Sequence, residues 1–365
     1  MHTISEVISV IEQIAPLQYQ EDYDNSGLQI GNRLVPITGV LLSLDVDERV
    51  IDEAINLGAN LIICHHPVIF KGIRSITGRN SIEKTIIKAI QNNIAIYVCH
   101  TSIDNNSQGV SFVMAQKLNL QNIKPLITQS GQLFKLVTFI PENHLEKVRK
   151  AVFEAGAGHI GNYDFCSFSG IGEGSFRALD NTQPFVGVKG EMHFEPEVRF
   201  ETIFPKHLER MVISALISNH PYEEVAYDII QLNNQNPSTG AGAIGELIFP
   251  EEENVFFQKL KDAFGTSVIR HSKFLGKPIK KIAVCGGSGY SFLNAAKASN
   301  ADVLVTADIK YHQFSEAEEN LIIADIGHYE SEQYIMDFFY DILLKNFSKF
   351  AVYFTKVNTN PINYF

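Results

Sequence analysis

The feature that most constrains the fold is an alternation of short apolar strands with amphipathic helices in the first third of the chain. The runs at 40–44, 61–64 and 94–99 are apolar almost throughout, which is typical of strands buried on both faces. Helical patterns fill the intervals at 48–57 and 81–92. Because parallel strands need such crossovers, the sequence predicts an α/β fold with a largely parallel sheet.

The same order of elements returns near the C-terminus. An apolar strand at 282–285 leads through GGSGY to a helix and a further strand at 303–305. An ungapped offset of 242 residues (301 − 59 = 242) places Ala301 on Ala59 and the strand at 303–305 on the strand at 61–64. We interpret this match as an internal duplication, and it predicts a duplicated three-layer α/β domain.

A second and shorter repeat lies between the two halves. A strand, a proline and a helix pattern at 136–156 recur at 198–221 with a separation of 63 residues (207 − 144 = 63), and the glycine-rich stretch SGIGEGSFRA lies between them. Two βα units with further strands predict a ferredoxin-like βαββαβ module. We therefore predict a discontinuous domain over 1–128 and 240–365, with an inserted α+β domain over 131–233.

Charge and composition exclude several classes of protein. The net charge is −11 and the sequence pI is ≈ 5.6, with no block of five basic residues, which argues against nucleic-acid binding. The four cysteines form no CxxC pair, and three lie in apolar runs. Thr3 and Glu6 form a capping-box pattern rather than a signal peptide, and no apolar stretch approaches membrane-spanning length. We predict a soluble, cytoplasmic protein without a membrane partner.

Polar residues cluster directly after the predicted strands. They are Asp45, Asp47, His65, His66, His100, Thr101, Asp104, Asp308, His312, Asp325, His328 and Glu332. Because ligands of an open α/β sheet gather beyond the carboxyl ends of its strands, we expect these side chains to lie near a common site. Imidazoles and carboxylates together are typical ligands of zinc, manganese or iron, so the sequence predicts a divalent-metal site.

The spacing of these residues favours two ions over one. Adjacent residues of a strand point to opposite faces, so His65 and His66 do not readily chelate one ion together. His328 and Glu332 are spaced i, i+4 at a helix start, and a carboxylate there can bridge two ions. Asp104 follows another strand tip. Dinuclear sites hold their metals about 3.5–4 Å apart and share a nucleophilic water or hydroxide.

Simpler interpretations of the same residues stay open. The pair His65-His66 before a proline also suits a capping or surface feature, i, i+4 His/Glu pairs occur on solvated helices, and Asp104 can serve in a turn or as an N-cap. Cys64 and Cys99 are candidate thiolate ligands. Strand alternation points them away from the adjacent histidines, which favours a place in the core.

Two glycine-containing loops allow more than one interpretation. The turn GGSGY follows a strand and opens a helix, so the backbone N–H groups of Gly286, Gly287, Ser288 and Gly289 are predicted to hold a phosphate, although a tight turn explains them about as well. The segment DYDNSGLQIG at 22–31 is either a plain turn or a loop that contacts substrate.

Several of these stretches also match a known family. They are CHHP at 64–67, HTSIDNN at 100–106, GGSG at 286–289, TADIKYH at 306–312 and GHYESE at 327–332, with DNSGLQIG near the start. In this order they resemble the Nif-three-like family, also called GTP cyclohydrolase I type 2 homologues. The resemblance covers the predicted metal domain and implies a duplicated α/β fold that carries two divalent metals. By motif position it implies the ligands His65, His66, Asp104, His328 and Glu332, with Glu332 as the bridge.

The inserted segment resembles the PII/CutA-like module of the longer bacterial members of that family. The resemblance further implies a toroidal homohexamer with the metal sites facing an internal cavity. The expected cofactors are two divalent metal ions per subunit, with zinc as the first choice and iron or manganese as alternatives.

The function that these inferences favour is a metal-dependent hydrolase, cyclohydrolase-like, that acts on a nucleotide or phosphoester substrate through a metal-bound hydroxide. His312 or Asp308 would then shuttle protons, since the offset of 242 (308 − 66 = 242) places Asp308 opposite His66. The alternative, from a different class, is a metal-sensing, storage, chaperone or regulatory protein without catalysis.

Overall fold

The computed structural model describes residues 2–365, which form two compact units: unit 1 is the chain up to Ile127 together with Ser238–Phe365, and unit 2 is Thr128–Pro237. The helices are α1 (Ile4–Ile14), α2 (Glu48–Leu57), α3 (Ser81–Gln91), α4 (Thr101–Asp104), α5 (Val110–Lys117), α6 (Leu145–Glu154), α7 (Glu209–Asn219), α8 (Glu253–Phe264), α9 (Leu293–Ala298), α10 (Tyr311–Ser315), α11 (His328–Glu332) and α12 (Ile335–Asn346). The strands are β1 (Gly27–Ile30), β2 (Gly39–Ser43), β3 (Leu61–Cys64), β4 (Ala95–Val98), β5 (Gln121–Thr128), β6 (Leu133–Pro141), β7 (Ser167–Arg177), β8 (Met192–Pro205), β9 (Tyr227–Leu232), β10 (Gly240–Glu251), β11 (Arg270–His271), β12 (Ile279–Ser288), β13 (Val303–Ala307), β14 (Ile322–Asp325) and β15 (Ala351–Phe354).

Unit 1 contains two sheets with parallel centres. The first has the order β1-β4-β3-β2-β15, in which β1 is antiparallel to β4 and the other neighbours are parallel. The second has the order β11-β14-β13-β12-β10-β5, in which β12, β13 and β14 are parallel, β10 runs antiparallel to β12, and β11 runs antiparallel to β14. The predicted mixed α/β fold is confirmed. The apolar runs indicate β2, β3, β4, β12 and β13 among its parallel strands, and β14 and β15 are additional.

The parallel strands are apolar throughout because both of their faces are buried. On β3, Leu61 and Ile63 belong to a core shared by the two sheets, whereas Ile62 packs beneath α2 and α3. On β13, Val305 belongs to the same shared core and Leu304 to a cluster beneath α9. Alternation along each strand thus supplies two hydrophobic interfaces, which holds the strand ends at defined positions.

Local signals in the sequence define several helix ends. The predicted capping box opens α1: the backbone N–H of Glu6 donates to Thr3 Oγ1, and the backbone N–H of Thr3 donates to the Glu6 carboxylate. The side chain of Asp47 accepts two backbone N–H groups at the start of α2. Gly58 ends α2 in the left-handed conformation, with φ of 66°.

Unit 2 has the element order β6-α6-β7-β8-α7-β9. Its four strands form one antiparallel sheet in the order β7-β8-β6-β9. Phe200 and Phe204 of β8 pack against Val148 of α6 and Val212 of α7, within a core that lies on one face of the sheet. The glycine-rich stretch between the two repeats forms most of β7, and β8 begins six residues earlier than the apolar run at 198–205 (198 − 192 = 6).

Two smaller expectations concern membranes and cysteines. Among residues 2–365, no helix combines the length and apolarity needed to cross a bilayer. All four cysteines are free, and Cys64, Cys99 and Cys285 are buried, as the apolar runs around them indicate.

The shared core of unit 1 gives a prediction about stability. Ile63→Ala removes a fully buried side chain from between the two sheets and should lower the free energy of unfolding by about 3 kcal/mol. The matched change Ile82→Ala, at a position that is 50% exposed on α3, should alter it by no more than about 0.5 kcal/mol. Urea unfolding followed by circular dichroism compares the two variants, and equal losses would contradict the assignment of Ile63 to the core.

Candidate metal centre

The site is built by loops at the carboxyl ends of parallel strands. His65 and His66 follow β3, and His100 follows β4. His328 and Glu332 are the first and last residues of α11, which comes shortly after β14. Because the two sheets share one core, the ends of these strands meet at one place in unit 1.

The structure brings all five predicted ligands together in two overlapping groups of donor atoms. His66 Nε2 and His328 Nε2 lie 3.2 Å apart, and Glu332 Oε2 is 2.9 Å from the first and 3.1 Å from the second. His65 Nε2 lies 3.8 Å from Asp104 Oδ1 and 3.9 Å from Glu332 Oε2. Tetrahedral ligands at about 2.0–2.2 Å from a metal are separated by about 3.4 Å, so each group has the size of one ion site.

The expectation that His65 and His66 point to opposite faces does not apply at these positions. Strand β3 ends at Cys64, and the chain bends at both histidines. Their ring centroids are 5.0 Å apart, and one nitrogen from each of His65, His66 and His100 falls within a 4.8 Å group. Strand alternation therefore gives no reason against a shared ion here.

The outer nitrogen of each clustered histidine is held by an oxygen. The partners of Nδ1 are Cys99 O for His65 (2.9 Å), Asp45 Oδ1 for His66 (2.8 Å), Asp24 Oδ1 for His100 (2.7 Å) and Asp308 Oδ2 for His328 (2.8 Å). Carbonyl and carboxylate oxygens only accept, so each Nδ1 carries a hydrogen and donates it. In the neutral rings this tautomer leaves the lone pair on Nε2, which is the arrangement found in metal-binding histidines.

Three buried polar atoms at the centre have no hydrogen-bond partner. They are His65 Nε2, Asp104 Oδ1 and Glu332 Oε2. Glu332 Oε2 nevertheless lies 2.9 Å from His66 Nε2 and 3.1 Å from His328 Nε2. Buried polar atoms without partners are costly, and a cation in contact with all three would remove that cost. The donor set therefore fits a divalent metal.

Electrostatics at the centre favour positive charge. Burial opposes protonation of His66, but Asp45 and Glu332 outweigh it and raise the pKa of His66 to about 10. Burial likewise opposes protonation of His328, and contacts with Glu332 and Asp308 raise its pKa to about 9. Near neutral pH, in the absence of metal, His66 and His328 therefore hold protons at the place where cations would bind.

The remaining groups respond to their surroundings differently. Burial lowers the pKa of His65 to about 3, so this imidazole is neutral and its Nε2 lone pair is free to bind a metal. Burial, and then the charge of Glu332, raise the pKa of Asp104 well above its usual range. Burial would also raise the pKa of Glu332, but the nearby His328 and His66 hold it well below its ordinary value.

The GGSG stretch makes room for the cluster. It belongs to the end of β12, and Gly287 has φ of 60°. A Cβ atom on Gly287 would lie 2.3 Å from Glu332 Oε1. The N–H groups of Gly286 and Gly287 donate to the hydroxyls of Ser111 and Ser331. Two of the four N–H groups of the predicted phosphate turn thus already have partners, and phosphate binding stays a prediction.

The two predicted proton shuttles differ in position. Asp308 contacts the cluster by accepting the Nδ1 hydrogen of His328, and its own backbone is left-handed with φ of 57°. His312 is exposed on α10, where its ring contacts that of Tyr311, and it does not line the cavity at the cluster. The five-residue helix α10 turns it to solvent, so the structure gives no support to a role for His312.

His100 is a further candidate ligand that the predicted set omits. It belongs to a metal-sized group with His65 and His66, and Asp24 orients it. Asp24 also accepts the backbone N–H of Thr101, and these bonds outweigh burial and hold the pKa of Asp24 below its usual range. The DYDNSG segment is thus neither a plain turn nor a demonstrated substrate loop. The signal available in the sequence was the position of His100 directly after a strand.

A cavity of about 430 Å³ opens onto the cluster. Three aromatic side chains, Tyr23, Phe70 and Phe292, contribute to its lining beside the histidines and carboxylates. Among the residues of unit 1 that the structure describes around this cavity, none is lysine or arginine. An anionic ligand would therefore find its positive charge at the cluster itself.

The fold and the donor set together define an α/β protein with a candidate metal centre at the ends of its parallel strands. The chain belongs to the Duf34/NIF3 (NGG1p interacting factor 3) family, whose sequence model matches residues 2–361. The resemblance carried by the CHHP, HTSIDNN and GHYESE stretches is thereby confirmed.

Relatives and solved structures agree with this assignment. A protein of Halalkalibacterium halodurans named GTP cyclohydrolase 1 type 2 homolog is 41% identical over 324 residues, which are 88% of this chain and 87% of that protein. A Staphylococcus epidermidis protein of the same name is 35% identical over 367 residues and covers 99% of both chains. A Bacillus cereus protein described as related to NIF3 superposes with a TM-score of 0.88 at 38% identity, covering 100% of this chain and 99% of that one.

The raised pKa values predict that metal binding depends on pH. The pKa values of His66 and His328 are raised, so a metal must displace protons that this pair holds, and affinity should rise with pH. Each displaced proton tightens zinc binding about tenfold per pH unit, so a gain of at least about tenfold is expected between pH 6 and pH 7. Calorimetry in buffers of different ionisation enthalpy should show proton release, with less release in Asp45→Asn. An affinity that does not change with pH would contradict these protonation states.

The close approach of Gly287 gives a second prediction. In Gly287→Ala the new methyl group displaces the Glu332 carboxylate, so zinc affinity should fall by about 10- to 100-fold. Gly72→Ala is the control, because a Cβ atom there has no neighbour within 4 Å. Competition with a fluorescent zinc chelator measures both variants. Unchanged affinity in a folded Gly287→Ala protein would show that Glu332 does not hold the metal.

Proposed function

We propose that the chain is a metal-dependent hydrolase that holds two divalent cations per subunit and acts on a nucleotide or phosphoester substrate. The observation that carries this proposal is the arrangement of four imidazoles, each with Nδ1 tied to an oxygen, of which three lie within 3.9 Å of the buried carboxylate of Glu332. Structural metal sites are usually closed by protein ligands, whereas this cluster faces an open cavity.

The donor atoms divide between two ions. His65 and Asp104, with His100 nearby, suit one ion, while His66 and His328 suit the other. Glu332 is the bridge in this proposal, because its Oε2 lies within 3.9 Å of three imidazole nitrogens. The mixed imidazole and carboxylate set accepts zinc first, and also iron or manganese. When bound, a pair of divalent cations supplies Lewis acidity and an activated water near neutral pH.

The chain itself contributes positioning and proton handling. The rings of Tyr23, Phe70 and Phe292 give the cavity an apolar wall against which a base or an ester group can pack. Asp308 Oδ2 holds the Nδ1 hydrogen of His328 and is 46% exposed, so it links a candidate ligand to solvent. In this proposal Asp308 is the group that exchanges protons with bulk water.

The alternative is a metal-sensing, storage, chaperone or regulatory protein without catalysis. The lining of the cavity in unit 1, which among the described residues includes no lysine or arginine, favours it, because polyphosphate substrates are usually held by such side chains. A carrier should release its metal to a chelator within minutes, whereas a catalytic pair should retain at least one ion.

We also propose that unit 1 arose by duplication and that unit 2 is an inserted PII/CutA-like module. The side chains that face the shared core support the duplication. The offset of 242 pairs Ile63 with Val305 (305 − 63 = 242), and both residues belong to that core. The βαββαβ order and the antiparallel sheet of unit 2 support the second. Assembly as a toroidal homohexamer and a cytoplasmic location stay predictions; sedimentation velocity tests the former.

The hydrolase proposal predicts metal-dependent turnover. Protein loaded with zinc or manganese should hydrolyse GTP or a nitrophenyl phosphoester, and both His66→Ala and Glu332→Gln should lower the rate by more than about 100-fold. His159→Ala, an exposed histidine in unit 2, is the matched control and should leave the rate unchanged. Stoichiometric metal binding without turnover of any substrate in the panel would contradict the proposal and favour the non-catalytic alternative.

A further inference from the structure

A second and larger cavity lies wholly within unit 2. Its volume is about 730 Å³, which is the size of a small-molecule site. Residues of β6, β7 and β8 line it, together with the loop 178–190 and the segment 222–226. Phe200 of β8 packs on the helices, so the neighbouring position Arg199, which lines the cavity, lies on the opposite face of the sheet. The cavity therefore covers the face of the sheet that the helices leave open.

Three glycines of β7 line part of this cavity. Gly170, Gly172 and Gly174 alternate along β7, so they share one face, and Gly172 is in register with Glu197 of β8. A Cβ atom on Gly174 would lie 2.2 Å from Glu197 Oε2. The absence of a side chain at position 174 is thus what leaves room for the carboxylate of Glu197.

Glu197 is a buried acid that lacks a cationic partner. It is 9% exposed and lines the cavity, and Tyr222 donates its hydroxyl hydrogen to Oε1 at 2.8 Å. Among the ion pairs formed by residues 2–365, none includes Glu197, and Arg199, two residues along β8, donates to Glu201 instead. A buried carboxylate with a neutral donor is stabilised strongly by a cation that brings N–H groups.

Aromatic rings surround this carboxylate. Phe176 and Phe185 each have a ring centroid 6.2 Å from that of Tyr222, and all three side chains line the cavity. The faces of aromatic rings attract cations, most strongly where water is excluded. Glu173, Glu223 and Glu224 also lie in the lining, so the acidic groups outnumber the two arginines Arg177 and Arg199 there.

We propose that the cavity of unit 2 binds a small organic cation that carries N–H donors on an apolar body. Glu197 accepts the N–H groups, the rings of Phe176, Phe185 and Tyr222 contact the body, and the glycines of β7 let it lie against the backbone. The site is separate from the metal centre and does not depend on the proposed hydrolase activity.

Three probes of the same shape and different charge test this proposal on the full chain. Benzamidine is cationic, benzamide is neutral and benzoate is anionic, while all three share one ring. Calorimetry and saturation-transfer NMR should show binding of benzamidine, with benzamide and benzoate at least about tenfold weaker. Equal affinity for the three probes, or no binding of benzamidine at millimolar concentration, would overturn the proposal.

Variants locate the binding in unit 2. Glu197→Gln and Gly174→Ala should each weaken benzamidine binding by about tenfold or more, the first by removing the charge and the second by displacing it. Phe185→Ala, on a loop and 50% exposed, removes a wall without disturbing the core and should also weaken binding. Glu154→Gln, an exposed acid on α6, is the matched control.

A last comparison tests whether the probe binds in this cavity or at the metal centre of unit 1. Glu332→Gln should leave benzamidine binding unchanged, and saturating zinc should not compete with it. Circular dichroism and thermal unfolding confirm that each variant is folded. If Glu332→Gln abolishes binding while folded Gly174→Ala and Phe185→Ala retain it, the probe binds at the metal centre and the proposal is wrong.

Discussion

A buried carboxylate shared by three imidazoles is the interaction on which the site of unit 1 depends. Glu332 is 4% exposed, and its Oε2 lies within 3.9 Å of the Nε2 atoms of His65, His66 and His328. Burial of such a charge costs several kcal/mol unless positive charge compensates it. Without metal, protons on the histidines provide that positive charge. With metal, divalent cations would provide it, bound by the lone pairs on the Nε2 atoms.

The two-sheet fold holds the side chains around Glu332 in fixed positions. Strands β3, β4, β13 and β14 are buried on both faces, so their carboxyl ends have little freedom. A second set of oxygens, from Asp24, Asp45, Cys99 and Asp308, then fixes the rotation of each imidazole. Asp308 does so from a left-handed backbone with φ of 57°, a costly conformation of the kind found at functional sites.

Much of this organisation was predictable from local patterns, and the rest was not, because it depends on contacts across the fold. Apolar runs and capping residues predict five of the parallel strands, β2, β3, β4, β12 and β13, together with α1 and α2. The strand tips predict where His65, Asp104 and His328 gather. The anchoring of His100 by Asp24 joins residues 76 positions apart, and the close approach of Gly287 to Glu332 crosses from strand to helix. Strand alternation failed at His66 because the strand ends two residues earlier.

The most direct test is anomalous diffraction at the zinc edge from crystals grown with zinc. We predict two peaks about 3.5–4 Å apart, one in contact with His65 and Asp104, the other with His66 and His328, and Glu332 in contact with both. A map with no peak at this cluster, or with ions that Glu332 does not touch, would contradict the account of unit 1 as a dinuclear metal-binding domain.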